Sequence, residues 1–215
     1  VFEAGWNRVK LYFMMGLPTE RDEDLQGIVD VTRLAYSIGR SFNKRASLSA
    51  SIAGFVPKAH TPFQWEPQDS IDELKNKGLW IKSRFHERNI SVSYHEPTQS
   101  FIEAVIAKGG ERGGDVIERA WKYGARFAGW GGTFKFSLWQ RALEDCGVDP
   151  YKITARQLSY DEVLPWDHID VGVTKEFLWL ERTKALKGEV TEDCRWSSCN
   201  ECGLQRLCFV DEGAP

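Results

Sequence analysis

The chain has 215 residues, 42% of them hydrophobic and 27% charged, which is enough for one large domain or for a domain with appendages. Its formal net charge of −3 gives no strong overall field that would attract nucleic acid or an anionic membrane. No run approaches the roughly 18 apolar residues of a membrane span, and no signal segment opens the sequence. We therefore expect a cytoplasmic protein.

The first half of the chain alternates predicted strands with predicted helices. Apolar residues 9–15 indicate a buried strand that ends at a Gly-Leu-Pro turn, and residues 47–56 and 90–94 indicate two further strands. A helical stripe follows each of the first two strands, and Ser70 with Glu73 forms a capping-box pair before the second helix. This order predicts a parallel sheet with crossover helices.

The second predicted strand has two different faces. One face carries larger apolar residues, whereas the other is mostly small and polar. The second set is Ser47, Ser49, Ser51, Ala53 and Phe55. Such a face suits either the interior of a barrel that admits a ligand or a strand packed closely against another element, and the sequence leaves both interpretations open.

The second half of the chain is predicted to be mainly helical. Helices are expected at about 100–108, 114–123, 134–146 and 174–187, with a polar, irregular stretch before the last of them. Cys146 falls on the apolar face of its helix and is expected to act as a small buried hydrophobe. Lys175 and Lys184 are expected to be ordinary residues of a helix surface.

Two motifs directly follow predicted strands, where β/α barrels place their active sites. In the first, residues 14–20, a glycine permits a sharp turn, and the backbone N–H groups that open the next helix favour an anion such as a carboxylate. The second, residues 55–65, is stiffened by prolines and carries His60, a possible proton donor. The alternatives are a common strand-to-helix turn for the first motif, and a rigid connector with a solvated histidine for the second.

A third motif places Asp167, His168 and Asp170 within four residues. Carboxylates next to an imidazole can hold a proton near neutral pH, ligate a metal or contact a substrate. The alternative is an Asp-capped turn that leads into the last helix. Together with His60, these residues are the candidates for substrate contact.

Four of the five cysteines lie in the tail, as Cys194, Cys199, Cys202 and Cys208 with the spacing C-x4-C-x2-C-x5-C. Clustered thiolates suit zinc or an iron–sulfur cluster. Four thiolates would make a closed zinc site, three would leave one iron of a cluster open, and the thiols could also be unligated. A disulfide framework is less favoured because the cysteine count is odd and no export signal is present.

Four segments together resemble one known family. They are KLYFMMGLPTE (10–20), FVPKAHTPFQW (55–65), DVIERAWKYGARFAGW (115–130) and DEVLPWDHIDVGVTK (161–175). The first two are similar to the last barrel strands of radical S-adenosylmethionine (SAM) enzymes, and the whole set resembles an uncharacterised bacterial family of cobalamin-binding radical SAM proteins. The resemblance implies a cobalamin-binding domain followed by a six-stranded partial barrel. It also implies a C-x-x-x-C-x-x-C triad whose 4Fe–4S cluster cleaves SAM reductively.

By motif position, the resemblance implies that two groups of residues line the SAM pocket. They are Gly16, Pro18, Thr19 and Glu20 after the first strand, and Ser51, Ala53 and Phe55 on the second. The cysteine triad is missing, since the first cysteine of the chain is Cys146. We therefore expect the chain to be the C-terminal part of a longer polypeptide, inactive alone, whose partners are the upstream cobalamin-binding and barrel segments.

The sequence thus predicts an α/β fold with three parts. Residues 1–97 would complete a radical SAM barrel, residues 98–188 would form a helical accessory region, and residues 189–215 would form a metal-binding tail. The expected chemistry is reduction of SAM to a deoxyadenosyl radical, or methyl transfer through cobalamin, on a substrate that the sequence does not name. The alternative is a zinc-stabilised module that binds RNA through stacking aromatic residues, or binds a protein, without catalysis.

Overall fold

The computed structural model describes residues 1–130 and 132–205, and within them it contains three strands and seven helices. In chain order these are β1 (Arg8–Met15), α1 (Asp22–Phe42), β2 (Ser47–Gly54), α2 (Ile71–Ser83), β3 (Ile90–Tyr94), α3 (Pro97–Lys108), α4 (Glu111–Lys122), α5 (Phe136–Asp145), α6 (Pro150–Thr154) and α7 (Lys175–Leu186). The predicted α/β class and all three strands are confirmed. The short helix α6 was not predicted, because five residues are too few to show a helical period.

The sheet is parallel, and its strands lie in the order β1-β2-β3. Helices α1 and α2 pack on one face of this sheet. The shared buried cluster comprises Met15, Leu25, Ile28, Val29, Ile52, Leu74 and Ile81. Neighbouring strands that follow one another in sequence, with right-handed crossovers, place their helices on the same side. A doubly wound sheet would instead reverse its strand order and carry helices on both faces.

The opposite face of the sheet is open. Tyr12 is 73% exposed and Met14 is 45% exposed, and Ser91 and Ser93 of β3 are exposed as well. Between these strands, β2 contributes mainly small side chains to the face, and the hydroxyl oxygens of Ser49 and Ser91 lie 2.8 Å apart. No element within the described residues covers this face. Close packing of β2 against another element, one of the two interpretations of its small, polar face, is therefore not observed there.

The outer edge of β1 and one side of α1 are also uncovered. Among the described residues no strand pairs with β1 on the side away from β2. Next to this edge, α1 exposes large apolar side chains at helical spacing, each about half exposed: Val31, Leu34, Ile38 and Phe42. An unpaired strand edge beside an apolar helix side is a surface that proteins normally cover.

The helical half of the chain has two clusters of its own. Helices α3, α4 and α5 share a core that includes Phe101, Val116 and Trp139, and Cys146 packs half-buried against it, as predicted. A second cluster joins Trp65, which follows β2, to Trp166 and Leu178 of the last segment. None of the helices in the described part of the chain combines the length and apolarity needed to cross a bilayer.

Two glycines test how tightly α2 packs on the sheet. A Cβ added at Gly78 of α2 would lie 2.8 Å from the Tyr94 ring, whereas one added at Gly27 of α1 would meet nothing within 4 Å. We expect Gly78→Ala to lower the free energy of unfolding by about 1–3 kcal/mol through overpacking. Gly27→Ala should raise it by about 0.5–1 kcal/mol, since alanine favours a helix.

Urea denaturation followed by circular dichroism measures both changes. Equal stability changes in the two variants would contradict the close contact between α2 and β3.

Candidate functional site

The carboxyl ends of the three strands bring the first two predicted motifs together. Met15 and Gly54 are register partners, and the Phe55 N–H donates to the Met15 carbonyl oxygen over 2.8 Å. The chain then leaves β1 through residues 16–21 and leaves β2 through residues 55–70, here called the rim loop. Two of the residues with positive φ other than glycine lie in these segments, Thr19 at 66° and His60 at 56°. Such backbone conformations cost energy and cluster at functional sites.

The turn after β1 is braced by the carboxylate of Glu20. One oxygen accepts a hydrogen bond from the Gly16 N–H over 2.8 Å, and the other lies 2.7 Å from Lys77 Nζ. Lys77 also donates to Asp69 over 2.7 Å. Burial lowers the pKa of Lys77, but its hydrogen bonds with Asp69 and Glu20 raise it by more, so the pKa lies above its usual range. Both carboxylate oxygens of Glu20 are therefore used to hold the turn. A ligand bound at this turn would meet its backbone groups.

Gly16 allows this turn in two ways. Its φ of 81° lies in the left-handed region, and a Cβ there would lie 2.9 Å from a methyl group of Leu74. The turn borders a cavity of about 200 Å³ on the side of Lys77 and Glu66, and a second of about 250 Å³ between Met14 and Ile28. Pro18, Thr19 and Glu20 line both.

The predicted pocket residues on β2 differ in exposure. Ser51 and Ala53 are half-buried, whereas Phe55 is buried. The Phe55 ring packs edge-on against Phe63 of the rim loop, with ring centroids 6.1 Å apart. A ligand on the open sheet face would therefore contact Ser51 and Ala53, with the Phe55–Phe63 pair lying at the carboxyl end of the strand.

The rim loop is anchored at Glu66, which is buried and forms an ion pair with the buried Arg182 of α7. The Glu66 carbonyl oxygen also accepts a hydrogen bond from Lys108 Nζ over 2.9 Å. Beside this pair, Trp65 packs edge-on against Trp179 at 5.1 Å, and the Arg182 guanidinium lies 4.5 Å from the Trp179 ring centroid. Lys108 of α3 and Arg182 of α7 thus both bind the rim loop at Glu66.

A cavity of about 380 Å³ lies between the rim loop and residues 167–178. Asp167 and Asp170 line it together with His60, which lies more than a hundred positions earlier in the sequence. The Lys175 Nζ donates to Asp167 over 3.0 Å. Burial raises the pKa of Asp167, but hydrogen bonds from the Leu164 N–H and from Lys175, together with nearby His60, lower it by more. The carboxylate is therefore ionised at neutral pH.

Both walls of this cavity are held by Gln64, which is 2% exposed. Its side-chain oxygen accepts hydrogen bonds from the His60 N–H over 2.9 Å and from Trp166 Nε1 over 2.6 Å. His60 Nε2 is buried and has no hydrogen-bond partner among the described residues. His60 lines the cavity, but its Nε2 is shielded from it.

Two predictions about this region need correction. His168 is exposed and does not line the cavity, whereas its neighbours Asp167, Ile169 and Asp170 do. Lys175 is half-buried in the cavity wall, where it bonds Asp167 and the Glu162 carbonyl oxygen. Neither Lys175 nor Gln64 was predicted from the sequence as part of this site. The Trp166 partner of Gln64 lies 102 positions away in the chain, which no local pattern reveals.

The tail thiols do not form a ligand set in the part of the chain that the structure describes. Cys194 and Cys202 are half-buried, Cys199 is exposed, and no group of three or more His, Cys, Asp or Glu side chains there could hold a metal ion. Cys208, the fourth predicted ligand, lies outside the described residues. The thiols as placed do not fit a bound cluster or zinc ion, and no chemistry is derived from them.

The buried ion pair gives a prediction about stability. Arg182→Met removes the cation and leaves the Glu66 carboxylate buried without a partner, so we expect a loss of about 3–5 kcal/mol in the free energy of unfolding. The matched control is Arg195→Met, since Arg195 pairs with Asp193 at the surface with 75% of its side chain exposed. That change should have little effect. Urea denaturation followed by tryptophan fluorescence measures both, and equal losses would refute the anchoring role.

Lys108 gives a prediction about pH. Burial, helped by nearby Arg156, lowers the pKa of Lys108 to about 8 from its ordinary 10.5. Between these values the unfolded chain binds more protons than the folded one. The loss of folding stability caused by the buried charge is therefore fully present below pH 8 and disappears as the pH rises towards 10.5.

Measured by urea denaturation across this range, the stability advantage of the natural chain over Lys108→Met should therefore grow with pH. Lys75→Met, an exposed change on α2, should give a constant difference. A constant difference for Lys108→Met as well would contradict the buried charge.

Comparison with known proteins gives a partial likeness to one uncharacterized protein. No protein-family model matches the chain, and no solved structure matches it. An uncharacterized protein of Methanocaldococcus jannaschii is 31% identical over 107 residues, which is 50% of this chain and 22% of that protein. The match thus spans about a fifth of the relative's length.

Proposed function

We propose that the chain forms the C-terminal part of the partial β/α barrel of a cytoplasmic radical SAM enzyme that also binds cobalamin. One observation carries the proposal: three consecutive parallel strands have both crossover helices on one face, and the opposite face is open, with small side chains from β2 and β3. In a β/α barrel the helices lie outside and the opposite face of the sheet lines the interior.

The uncovered surfaces agree with this arrangement. A further parallel strand would pair with the free edge of β1, and its helix would cover the apolar side of α1 at Val31, Leu34, Ile38 and Phe42. These side chains lie on the helix that would neighbour the preceding unit. The proposal therefore assigns one occupant, the preceding strand–helix units of the same polypeptide, to both surfaces.

The carboxyl end of the sheet would form part of the SAM site. The turn at Gly16–Glu20 would offer its backbone to the ligand, and Ser51 and Ala53 would leave room for it on the barrel interior. A cluster held upstream would supply the electron that cleaves SAM, and cobalamin would supply methyl transfer as the alternative outcome. The residues of this chain would bind and orient SAM and the substrate and would exclude water.

Metal binding by Cys194, Cys199, Cys202 and Cys208 stays a prediction, either as an auxiliary iron–sulfur cluster or as zinc. The described thiols would have to move together to form a site. A zinc-stabilised binding module would also require these thiols to move together around one ion. It would give the open face of the sheet no function.

The natural polypeptide that contains this chain tests the proposal. After anaerobic reconstitution with iron and sulfide and reduction by dithionite, we expect it to convert SAM to 5′-deoxyadenosine, or to transfer its methyl group with release of S-adenosylhomocysteine. Ala53→Phe should lower SAM affinity by about tenfold or more, because the added ring fills the open face at its carboxyl end.

The matched control is Ser47→Phe, which adds the same ring to the same face about 20 Å away at the other end of β2. It should leave SAM affinity unchanged. The proposal fails if the polypeptide contains no cysteine triad, if neither SAM product forms, or if the two variants weaken SAM binding equally.

A further inference from the structure

The segment from residue 119 to residue 143 differs in charge from the rest of the chain. It contains five lysine or arginine residues and no aspartate or glutamate, which gives it a formal charge of +5, whereas the whole chain carries −3. It also contains seven aromatic residues. The segment runs from α4 through residues 123–130, here called the aromatic loop, and on into α5. The overall composition therefore conceals a local concentration of cations and rings.

The aromatic loop packs its small residues against the core and leaves two large rings outside. Ala125 and Ala128 contact the core shared by α3, α4 and α5, and Gln99 of α3 donates to the Ala128 carbonyl oxygen over 3.1 Å. Phe127 and Trp130, by contrast, are 67% and 70% exposed. The loop is thus attached to the core while its largest apolar side chains are available to a partner.

The backbone of the loop holds these two rings beside each other. Phe127 has a φ of 52°, in the left-handed region that is rare for an aromatic residue. Its carbonyl oxygen accepts hydrogen bonds from the Trp130 N–H over 2.9 Å and from the Thr133 hydroxyl. The ring centroids of Phe127 and Trp130 lie 5.2 Å apart. Such strain persists only where the surroundings enforce it, so the rings are displayed in one preformed arrangement.

Two arginines lie against further rings next to the loop. The Arg126 guanidinium lies 4.4 Å from the ring centroid of Trp121, which is itself more than half exposed, and Arg141 of α5 lies 4.2 Å from the Tyr123 ring centroid. The ion pairs that this segment forms within the described residues are made by its two other cations on α4. The charges of Arg126 and Arg141 are therefore left for an anionic partner.

The chemistry of this surface favours a nucleic acid over a membrane. Residues 119–137 contain no leucine, isoleucine, valine or methionine, whereas segments that insert into lipid usually combine aromatic with aliphatic side chains. Flat rings stack with bases of any sequence, and arginines neutralise phosphates. Because the rings are already held in place, little conformational entropy is lost when a base stacks on them.

We propose that this surface binds single-stranded nucleic acid, with bases stacked on Trp121, Phe127 and Trp130 and with phosphates paired to Arg126 and Arg141. The binding does not depend on the function proposed above, since no residue of the SAM site takes part in it. That the bound nucleic acid is also the substrate of a radical reaction does rest on that function.

The test measures the fluorescence anisotropy of a fluorescein-labelled oligouridylate of about 12 nucleotides, titrated with the full natural polypeptide without SAM or reduction. We expect saturable binding with a dissociation constant in the micromolar range at low salt, and weaker binding as the salt concentration rises. Inorganic polyphosphate carries the charge without bases and should compete poorly. Vesicles of phosphatidylglycerol and phosphatidylcholine should not cosediment with the protein.

The stacking part of the proposal is tested at Trp130. Trp130→Ala should weaken oligouridylate binding by about fivefold or more, because it removes one surface on which a base stacks. Trp130→Phe keeps an aromatic ring and should retain most of the affinity. The matched control is Trp196→Ala, which removes an exposed indole of the tail and should change nothing.

The phosphate contact is tested by the salt dependence of binding. Arg126→Met removes one cation and should make the plot of log affinity against log salt shallower by about 0.7. Arg88→Met removes an exposed cation just before β3 and should leave the slope unchanged.

Four outcomes would overturn the inference: no binding of the oligouridylate, equal effects of the variants and their controls, full competition by polyphosphate, or binding of the vesicles in its place. Oligouridylate binding by a polypeptide that forms neither SAM product would refute the proposed function alone.

Discussion

The buried pair of Glu66 and Arg182 is the interaction on which the arrangement of the candidate site depends. Taking two charges out of water costs several kcal/mol each, and their attraction repays this only when the remaining polar groups are satisfied. Here the Arg182 guanidinium also lies over the Trp179 ring, and the Glu66 backbone accepts from Lys108. The pair therefore fixes one point at which the sheet half and the helical half of the chain meet.

Two cavities lie on either side of this point. Glu66 lines the cavity at the turn after β1, whereas Leu178, one helical turn before Arg182, lines the larger cavity that contains His60. The rim loop thus forms a wall of both spaces. A change that moves the rim loop would therefore alter both cavities together.

Stability and local strain are distributed unevenly around these spaces. The apolar face of the sheet is closed by α1 and α2, whereas the carboxyl ends hold Thr19 and His60 in the left-handed region. Each such residue costs of the order of 1–3 kcal/mol. Partly buried hydrogen bonds of Glu20 and Gln64 with the adjacent backbone offset that cost and hold the turns in place.

Local patterns determined much of the fold. Alternation and apolar runs predicted the three strands, and Ser70 with Glu73 forms the capping box at α2 as expected, since these signals act between residues close in sequence. The sequence also indicated His60, in the loop after the second predicted strand, and the pair Asp167 and Asp170, in the turn before the last predicted helix. Only the tertiary structure decided that these three share a cavity, that His168 does not line it, and that Lys175 and Gln64 complete its walls. The bond between Gln64 and Trp166 joins positions 102 apart, and such a pairing depends on how the rim loop packs against the last segment, which no local sequence pattern records.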